Sequence, residues 1–474
     1  MLKVSNGMQR TYIKDLPQKV GQEVTISGWV DIRRDHGKLI FVDLRDMSGK
    51  VQMVALPNNK EGHEVANTIR PEWVVEVKGK VNPRPEKLVN LNEPNGAIEI
   101  EILGITVLNE AQTPPIDVRG DGRDIGEDVR LKYRYLDLRR PRLQKNIRNR
   151  SKVQTYVRNF LTKEGFSEIE TPTLTTATAE GSRDFIVPSR LEPGKFYALP
   201  QSPQQYKQLL MAAGMEKYFQ FARCYRDEDS RGDRQPEFTQ MDLEMSFVKR
   251  EDVMDVNERA LIALVTELYP NKKIQQVPFP RLTYKEAIEK YGSDKPDIRE
   301  NKEDPNLLAF CWVIDFPFFE KDDKGGWTFS HNPFSAPKPE HMADLMNKTN
   351  IGDILTTQYD IALNGYELGG GSIRNHRPEA LHKVLEIMGF DEEKIEREYG
   401  HMLKSFSFGV PPHGGIAWGF DRLMMIMENE PNIREVIAFA KTGEMQDLMM
   451  NAPGVVADEQ LRDLKLKMVK KEDK

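Results

Sequence analysis

Apolar and polar positions alternate through the N-terminal part of the chain with the period of a β-strand. In one stretch Ile98, Ile100 and Ile102 alternate with Glu99 and Glu101, which places the isoleucines on one face. Five stretches of this kind are rich in β-branched residues, and a short helical stretch separates the third from the fourth. Five strands and one helix in this order predict a small OB-type β-barrel, a fold often used to bind oligonucleotides.

The pattern changes three times along the chain. Residues 1–105 carry the predicted barrel, and residues 106–130 form a connector that is poor in apolar residues but contains two prolines and three glycines. In residues 131–450 helical stretches alternate with long strands, which predicts one α+β domain of catalytic size. Residues 451–474 predict a charged helical tail.

Composition restricts the class of protein further. The chain has 474 residues, of which 30% are charged and 39% hydrophobic, and its mean hydropathy is −0.59. It contains no run of about 18 apolar residues, and residues 1–10 carry no apolar signal segment. We therefore expect a cytoplasmic protein with no membrane contact. The two cysteines, Cys224 and Cys311, have neither disulfide nor metal-site spacing.

The charge balance does not by itself indicate a nucleic-acid partner. The formal net charge is −6, so contacts with nucleic acid would depend on local patches. Basic residues cluster in two turns of the predicted barrel, one of them at Arg33, Arg34 and Lys38. Solvated loops and a nucleic-acid surface explain these clusters equally well.

One strand of the α+β segment places polar residues on a single face. Gln240, Asp242 and Glu244 alternate with Met241 and Leu243. The strand before it is apolar on both faces, which indicates that the sheet is covered on both sides. Polar groups on a covered face need partners, because an unpaired buried polar group costs about 1–3 kcal/mol. A bound polar ligand would supply such partners, and ordinary solvent exposure is the alternative.

The Asn-Gly pair at 364–365 is a strong signal for a two-residue β-hairpin turn. Counting outward from the turn pairs Ala362 with Glu367 and Asp360 with Gly369. Asp360 and Glu367 are then diagonal neighbours, and two like charges this close repel each other unless a cation lies between them. Oxygen ligands of this kind suit Mg²⁺ carried with substrate phosphates. A chance pair of carboxylates is the alternative.

Three consecutive glycines, residues 369–371, follow Glu367 in this hairpin. They remove side chains where a ligand could approach, and they permit a bulge. By strict alternation Arg374 would point away from Glu367, whereas a bulge in the glycines would turn it back.

A third candidate lies where a predicted strand meets a helix. The strand passes through Gly415 and Ala417 and breaks at Gly419, and Arg422 lies in the first turn of the helix that follows. A helix N-terminus together with an arginine is suited to phosphate, although many helices carry an arginine in the first turn.

In this order, the polar strand, the acidic hairpin and the strand–helix junction resemble motif 2, the hairpin and motif 3 of the class II aminoacyl-tRNA synthetases. A helix ending in "TKEGFSEIETPTL", with Pro172 at the strand entry, resembles motif 1. The stretches "ALPQSPQQYKQLLM", "RDEDSRGDRQPEFTQMDLEMSF" and "NGYELGGGSIR" are similar to bacterial-type aspartyl-tRNA synthetases. The resemblance extends over nearly the whole chain. It implies an α+β, antiparallel-sheet catalytic domain that follows an N-terminal anticodon-binding OB-fold.

The resemblance implies that the charged loop before the polar strand binds ATP. Arg226 would contact the α-phosphate, Glu228 the adenine end, Phe238 the base and Arg422 the γ-phosphate side. The full set implied for ATP is Arg226, Glu228, Phe238, His331, Glu367 and Arg422. Of these, Arg226 and Arg422 would be catalytic. Asp360 and Glu367 would bind Mg²⁺. The reaction is in-line attack of a carboxylate on the α-phosphorus, so no protein nucleophile is required.

The resemblance also implies a pocket for L-aspartate. Lys207 and Arg374 would meet the substrate carboxylates, since a planar guanidinium binds a carboxylate through two hydrogen bonds. Asp242 and Glu180 would face the α-ammonium. The remaining hydrogen bonds are implied for Ser202, Gln204 and Gln240. A lysine enzyme would need acids in place of the two cations and an asparagine enzyme fewer cations, which favours aspartate.

In the barrel, the resemblance implies that Arg34, Phe41, Gln52 and Glu99 read the anticodon of tRNA(Asp). Phe41 would stack on an unstacked base, unless it is a core residue of its strand. His36 lies in the turn between Arg34 and Phe41. Relatives with histidine there tend to charge tRNA(Asn) with aspartate as well, so we predict relaxed specificity. A solvated turn residue without a role is the alternative for His36.

Two departures from the bacterial-type pattern stand out. A large inserted domain usually follows a segment like the one that ends at Arg299, and here it is absent. Paired histidines are usual where this chain has His331 and Asn332, so Asn332 departs from the family pattern. Neither departure removes motif 1, through which we expect a homodimer.

Two other classes of protein fit these residues less well. A synthetase-derived asparagine synthetase would use the same adenylate chemistry, but that family lacks the barrel. A catalytically inactive tRNA-binding relative would have lost Arg226, Asp360, Glu367 or Arg422, and all four are present.

Overall fold

The first of two structural units is the barrel that the alternating pattern predicts. The computed structural model describes residues 10–177 and 180–469, and the chain divides into the units Met1–Val118 and Arg119–Lys474. The elements of the first unit are β1 (Glu23–His36), β2 (Leu39–Asp46), β3 (Gly49–Ala55), α1 (Lys60–Thr68), β4 (Val74–Pro83) and β5 (Ile98–Asn109), with short 3₁₀ helices at Ile13–Lys19 and Glu86–Leu88.

The five strands close into a barrel in the order β1-β2-β3-β5-β4. The pair β3–β5 is parallel and the other pairs are antiparallel. Ile98, Ile100 and Ile102 are buried in the barrel core, whereas Glu99 and Glu101 are half-buried on the other face. The helix α1 lies between β3 and β4 in the chain, as predicted. Strand β5 continues to Asn109, past residue 105.

The second unit is built on an eight-stranded sheet. Its strands are β6 (Ser167–Glu168), β9 (Lys217–Tyr225), β10 (Glu237–Ser246), β12 (Arg281–Thr283), β14 (Phe310–Ile314), β17 (Tyr359–Leu363), β18 (Tyr366–Ile373) and β19 (His413–Gly419). They follow the order β12-β14-β17-β18-β19-β10-β9-β6. Only the two edge pairs, β12–β14 and β6–β9, are parallel, so the predicted antiparallel α+β fold is confirmed.

Helices and short ladders surround this sheet. The helices are α2 (Glu127–Lys132), α3 (Arg134–Asp137), α4 (Pro141–Lys163), α5 (Gln204–Ala212), α6 (Arg250–Leu268), α7 (Tyr284–Tyr291), α8 (Met342–Asn347), α9 (Pro378–Ile387), α10 (Glu392–Phe406), α11 (Phe420–Met427) and α12 (Asp458–Asp463). Two-stranded ladders form from β7 (Ile186–Pro188) and β8 (Phe196–Ala198), β11 (Lys273–Ile274) and β13 (Leu307–Leu308), and β15 (Phe319–Lys321) and β16 (Trp327–Phe329). Short 3₁₀ helices lie at Pro339–His341, Ile351–Asp353 and Ile433–Glu435.

The main core lies on one face of the sheet. Val157 of α4, Leu261 of α6 and Met424 of α11 are buried there together with Met241 and Leu243 of β10. The other face of β10 is therefore left for polar side chains.

Of the predicted tail, the helix α12 consists mainly of exposed residues. Residues 470–474 of the tail, and residues 1–9 of the predicted barrel segment, lie outside the described residues. Within residues 10–177 and 180–469, no helix combines the length and the apolar character needed to cross a membrane.

Candidate functional site

Strand β10 separates a core face from a polar face, as its alternation predicts. Met241 and Leu243 are buried in the core, whereas Asp242 and Glu244 belong to the opposite face. Both carboxylates have no exposed surface. Solvent exposure, the alternative for this face, is therefore wrong.

Two buried cations compensate the two carboxylates. Lys207 Nζ lies 2.5 Å from Asp242 Oδ1 and 3.4 Å from Glu244 Oε2. Arg374 donates from Nε and Nη2 to the two oxygens of Glu244, at 2.8 and 3.0 Å, and from Nη1 to Ser372 Oγ at 2.8 Å. Burial raises the pKa of Asp242 in spite of Lys207. Burial also opposes ionisation of Glu244, but Arg374 and Lys207 outweigh it and lower the pKa of Glu244.

Glu244 was not among the predicted site residues. It shares the face of Asp242, and that parity was the signal available in the sequence. Its two hydrogen bonds hold the guanidinium of Arg374 in a fixed plane. Glu244 therefore fixes the orientation of Arg374, which is predicted to bind the substrate carboxylate.

Strands β17 and β18 form the predicted hairpin, but β18 carries one additional residue. Ala362 pairs with Glu367, as predicted, whereas the preceding Ile361 pairs with Gly369. Leu368 is therefore an extra residue, and it forms a β-bulge immediately before the glycines.

The bulge changes the register of everything that follows it. Asp360 pairs with Gly370, so its predicted pairing with Gly369 is wrong by one position. Because side chains alternate along a strand, the extra residue places Arg374 on the same face as Glu367. The inward turn that a bulge would give Arg374 is thus present, although the bulge lies before the glycines rather than within them.

The acidic hairpin has the properties of a cation site. A Cβ on Gly370 would lie 2.9 Å from Asp360 Oδ1, so a side chain there would displace this carboxylate. Gln358 Nε2 donates to Asp360 Oδ1 at 3.1 Å. Burial, and then the nearby Glu367 carboxylate, raise the pKa of Asp360 well above its ordinary value. A buried carboxylate and a half-buried one that repel each other fit a divalent cation of the Mg²⁺ type.

The charged loop between β9 and β10 pairs part of its charge within itself and part with neighbouring segments. The guanidinium carbon of Arg226 lies over the Phe238 ring, 5.1 Å from its centroid. Glu228 accepts hydrogen bonds from Ser182 Oγ and from Arg234 Nη1. The loop therefore presents Arg226 and Phe238 together.

A short segment before β7 contacts the same loop. Glu180 accepts a hydrogen bond from Ser202 Oγ at 2.7 Å, and Arg183 lies 3.5 Å from the carboxylate of Asp227. Ser202 Oγ in turn accepts the backbone N–H of Gln204 at 3.2 Å. These contacts link the segment to the start of α5.

Arg422 lies in the first turn of α11, where the sequence predicts it. Its Nε is 3.1 Å from the carboxylate of Asp233, and its Nη1 donates to the backbone carbonyl of Glu367 at 2.8 Å. The guanidinium thus joins the charged loop to the acidic hairpin.

His331 and Asn332 have different surroundings. His331 meets the Phe316 ring edge-on, with centroids 4.7 Å apart, and burial lowers its pKa. Asn332 Oδ1 accepts the backbone N–H groups of Phe334 and Ser335, at 3.0 and 3.1 Å. Asn332 therefore stabilises the turn next to His331 in the place of a second histidine.

Most of these groups line one cleft of about 350 Å³, whereas Glu244 is not part of its wall. Its wall contains every residue predicted to bind ATP, Mg²⁺ or aspartate, namely Glu180, Ser202, Gln204, Lys207, Arg226, Glu228, Phe238, Gln240, Asp242, His331, Asp360, Glu367, Arg374 and Arg422. The wall also contains residues that were not predicted, among them Asp233, Arg234 and Gln358. These side chains can hold anionic groups at one end and a small zwitterion at the other.

In the first unit, a chain of polar side chains crosses the barrel surface. Arg34 donates from Nη1 and Nη2 to Asp43, at 3.1 and 3.0 Å, and from Nη2 to Gln52 Oε1 at 3.3 Å. Gln52 Nε2 donates to Glu99 Oε2 at 3.2 Å, and Arg84 Nε lies 4.0 Å from the same oxygen. Three predicted anticodon residues therefore lie together. Asp43 was not predicted, although an acid within an apolar strand was a usable signal.

Phe41 and His36 lie at one end of this polar chain. Phe41 pairs with Arg34 between β2 and β1. It is only half-buried, so its alternative role as a core residue is wrong. His36 is exposed and meets the Phe41 ring edge-on, with centroids 6.2 Å apart.

Two protein families match the two units. The family of class II tRNA synthetases for D, K and N matches residues 126–443, and the OB-fold nucleic acid binding domain matches residues 24–108. The chain is thus a class II aminoacyl-tRNA synthetase. Within that class it belongs to the aspartate–tRNA ligases, since it is 40% identical to the aspartate–tRNA(Asp/Asn) ligase of Rubrobacter xylanophilus over 95% of each chain. It is also 38% identical to the aspartate–tRNA ligase of Staphylococcus aureus, over 95% of this chain and 97% of the relative.

Solved structures have the same fold. Asparaginyl-tRNA synthetase from Pyrococcus horikoshii, complexed with asparaginyl-adenylate, superposes with a TM-score of 0.75 at 24% identity and covers 92% of this chain and 99% of its own. Aspartyl-tRNA synthetase from Entamoeba histolytica gives a TM-score of 0.72 at 25% identity, with 92% of each chain covered. The alignment with the Rubrobacter relative runs over 573 positions, whereas this chain has 474 residues. That relative therefore carries positions with no counterpart here.

Proposed function

We propose that the cleft of the second unit binds ATP and L-aspartate side by side and joins them as aspartyl-adenylate, from which the aspartyl group passes to the 3′ end of tRNA(Asp). The observation that carries this proposal is the buried set of Lys207, Arg374, Asp242 and Glu244 at one end of the cleft. Two cations and two carboxylates in one buried place match a substrate that itself carries both signs of charge.

At the amino-acid end, each charged group has a separate task. Arg374, held flat by Glu244, offers a planar fork to a substrate carboxylate, and Lys207 offers a point charge. Asp242 and Glu180 face the α-ammonium, with hydrogen bonds from the cleft wall around them. An ammonium side chain, as in lysine, would meet the guanidinium of Arg374 and be repelled.

At the phosphate end, Arg226 contacts the α-phosphate and Phe238 stacks on adenine. Arg422 binds the γ-phosphate side, and Asp360 and Glu367 would hold Mg²⁺. When bound, this ion neutralises charge on the phosphate oxygens. The substrate carboxylate attacks the α-phosphorus in line, and the protein contributes position and opposing charge rather than a nucleophile.

The barrel supplies recognition of tRNA. We infer that Arg34, Gln52 and Glu99 bind edges of anticodon bases and that Phe41 stacks on one of them. His36 lies beside that position. An imidazole can donate or accept a hydrogen bond, so it tolerates either pyrimidine at the base that separates tRNA(Asp) from tRNA(Asn). The name of the Rubrobacter relative, aspartate–tRNA(Asp/Asn) ligase, supports this relaxed specificity.

We also propose that two chains associate through motif 1, the helix α4 with the strand β6, and that the enzyme is cytoplasmic. The chain mass is 54.5 kDa, so light scattering in solution is expected to give twice that value, and a single-chain mass would contradict the dimer.

The test of the cleft assignment is the substitution Arg374→Leu. We predict that it raises the KM for aspartate in pyrophosphate exchange about tenfold to a hundredfold, because it removes charged hydrogen bonds to the substrate. The KM for ATP stays within about twofold of the unmodified enzyme.

Arg377→Leu is the matched control, since Arg377 is exposed and lies outside the cleft wall. Arg374→Lys keeps the charge but loses the fork, so an intermediate KM is expected. An unchanged aspartate KM in Arg374→Leu would show that this arginine does not bind the substrate.

A further inference from the structure

A buried chain of hydrogen bonds leads from the start of β19 to the wall of the cleft. His413 has no exposed surface, and its Nδ1 lies 2.7 Å from the backbone carbonyl of Pro411. Its Nε2 lies 3.1 Å from Gln208 Nε2, and Gln208 Oε1 accepts from Gln204 Nε2 at 2.9 Å. Gln204 lines the cleft, whereas Gln208 and His413 lie behind it.

The donor and the acceptor of every hydrogen bond in this series follow from the backbone carbonyl of Pro411 at its end. A backbone carbonyl only accepts, so His413 must donate from Nδ1, and a neutral imidazole then accepts at Nε2. Gln208 must therefore turn its NH₂ group to His413 and its oxygen to Gln204. Gln204 in turn must donate from its NH₂ group to that oxygen, which leaves the carbonyl oxygen of Gln204 as its acceptor for a ligand.

The neutral state of His413 has a physical cause. Burial lowers the pKa of His413 to about 4, even though Glu244 acts to raise it, and the charges of Arg374 and His376 act in the same direction as burial. Phe406 meets the ring edge-on, with centroids 6.0 Å apart. At neutral pH the imidazole therefore holds one proton.

We propose that His413 and Gln208 are positioning residues that fix the amide of Gln204 with its carbonyl oxygen towards the cleft, where it accepts a hydrogen bond from the substrate α-ammonium. This inference rests on the aspartate pocket proposed above. A side-chain amide has nearly the same shape in both orientations, and the wrong one would point an NH₂ group at an ammonium. The buried relay excludes that orientation.

Gln208→Met tests the relay, because methionine has a similar size and neither donates nor accepts strongly. With this change the amide of Gln204 loses its fixed direction. We expect the aspartate KM in pyrophosphate exchange to rise about tenfold, the loss of one hydrogen bond to a charged group. Succinate, which is aspartate without the ammonium, serves as a competitive inhibitor and is expected to keep its inhibition constant within about twofold.

Gln205→Met is the control for a buried glutamine on the same helix. Gln205 is 6% exposed, lies outside the cleft wall, and its Nε2 has no hydrogen-bond partner among the described residues. Both constants are expected to stay unchanged in this variant. His413→Phe, which removes the acceptor but keeps a ring, is expected to repeat the result of Gln208→Met.

The ratio of the aspartate KM to the succinate inhibition constant distinguishes a loss of positioning from general damage to the pocket. Equal weakening of aspartate and succinate, or no weakening of either, in both Gln208→Met and His413→Phe would overturn the relay. Gln204→Met then tells which claim has failed. If it leaves the aspartate KM unchanged, the proposed pocket role of Gln204 is wrong; if it raises the KM while the two relay variants do not, only the relay is wrong.

Discussion

Four side chains at the amino-acid end of the cleft neutralise one another. Lys207, Arg374, Asp242 and Glu244 are all nearly or fully buried, and breaking a buried ion pair by removing one partner costs about 3–5 kcal/mol. The residues that we propose bind the substrate are therefore also residues that stabilise the fold. Kinetic tests of this end of the cleft need a thermal unfolding measurement beside them.

At the same scale, His36 is predicted to set the choice between two tRNAs. We predict that the unmodified enzyme charges tRNA(Asp) and tRNA(Asn) transcripts with comparable efficiency, because an imidazole tolerates either pyrimidine. His36→Leu is expected to favour tRNA(Asp), since an apolar side chain cannot form a hydrogen bond with the base that tRNA(Asn) carries at this position. The measurement is aspartate charging of both transcripts by purified enzyme.

His341→Leu is a suitable control, because His341 lies in the second unit and outside the cleft wall. A preference of about a hundredfold for tRNA(Asp) in the unmodified enzyme would contradict relaxed specificity.

The acidic hairpin is the element on which the geometry of the cleft depends. Its turn follows from the Asn-Gly pair, and Asn364 has the positive φ of 51° that this turn requires. The bulge at Leu368 then decides which way the rest of β18 faces. Without it, Arg374 and Glu367 would lie on opposite faces of the sheet.

We predict that Asp360→Asn and Glu367→Gln each raise the Mg²⁺ concentration needed for half-maximal pyrophosphate exchange by at least about tenfold. Each change removes a negative charge from the proposed ion site. Binding of tRNA is expected to stay within about twofold, since neither residue is in the barrel. Glu379→Gln, at an exposed position outside the cleft wall, serves as the control. Near-normal exchange at limiting Mg²⁺ in both hairpin variants would contradict the ion site.

Alternation and turn chemistry predicted much of these elements but not the bulge. The faces of β10 follow from period two, because a covered sheet fixes which side chains are buried. The hairpin follows from its turn. The exact place of the bulge does not follow from the sequence, since an extra residue at Leu368 or within residues 369–371 turns Arg374 to the same side. The contact between Glu244 and Arg374 depends on that register, so the sequence did not predict it.

At the scale of the whole molecule, the proposed sites of adenylate formation and of anticodon recognition lie in different units. Every predicted ATP and aspartate residue lies in the second unit, and Arg34, His36, Phe41, Gln52 and Glu99 lie in the first. The two activities should therefore respond separately to substitution.

We predict that Phe41→Ala lowers charging of tRNA(Asp) about fivefold to a hundredfold, the loss of one stacking contact. Pyrophosphate exchange is expected to stay unchanged, because this reaction needs no tRNA. The control is Tyr12→Ala, an exposed aromatic residue elsewhere in the same unit. Equal loss of both activities in Phe41→Ala would indicate a folding defect and would contradict the stacking role.

The assembly of the cleft could not be derived from local pattern alone. The barrel follows from period-two alternation within one continuous stretch of chain. The cleft combines Glu180, Lys207, Asp242, Arg374 and Arg422, which are far apart in sequence and meet only through the pairing of strands. The resemblance to a synthetase family supplied that grouping, whereas the alternation supplied only which face each residue occupies.

The central claim is that this cleft activates aspartate, and its most direct test is amino-acid-dependent exchange of pyrophosphate into ATP by the purified protein. Aspartate, asparagine and lysine are compared at equal concentration with ATP and Mg²⁺. We predict exchange with aspartate that exceeds exchange with either other amino acid by about a hundredfold or more, because the buried cations are matched to a second carboxylate. Strong exchange with asparagine or lysine, and none with aspartate, would contradict the account.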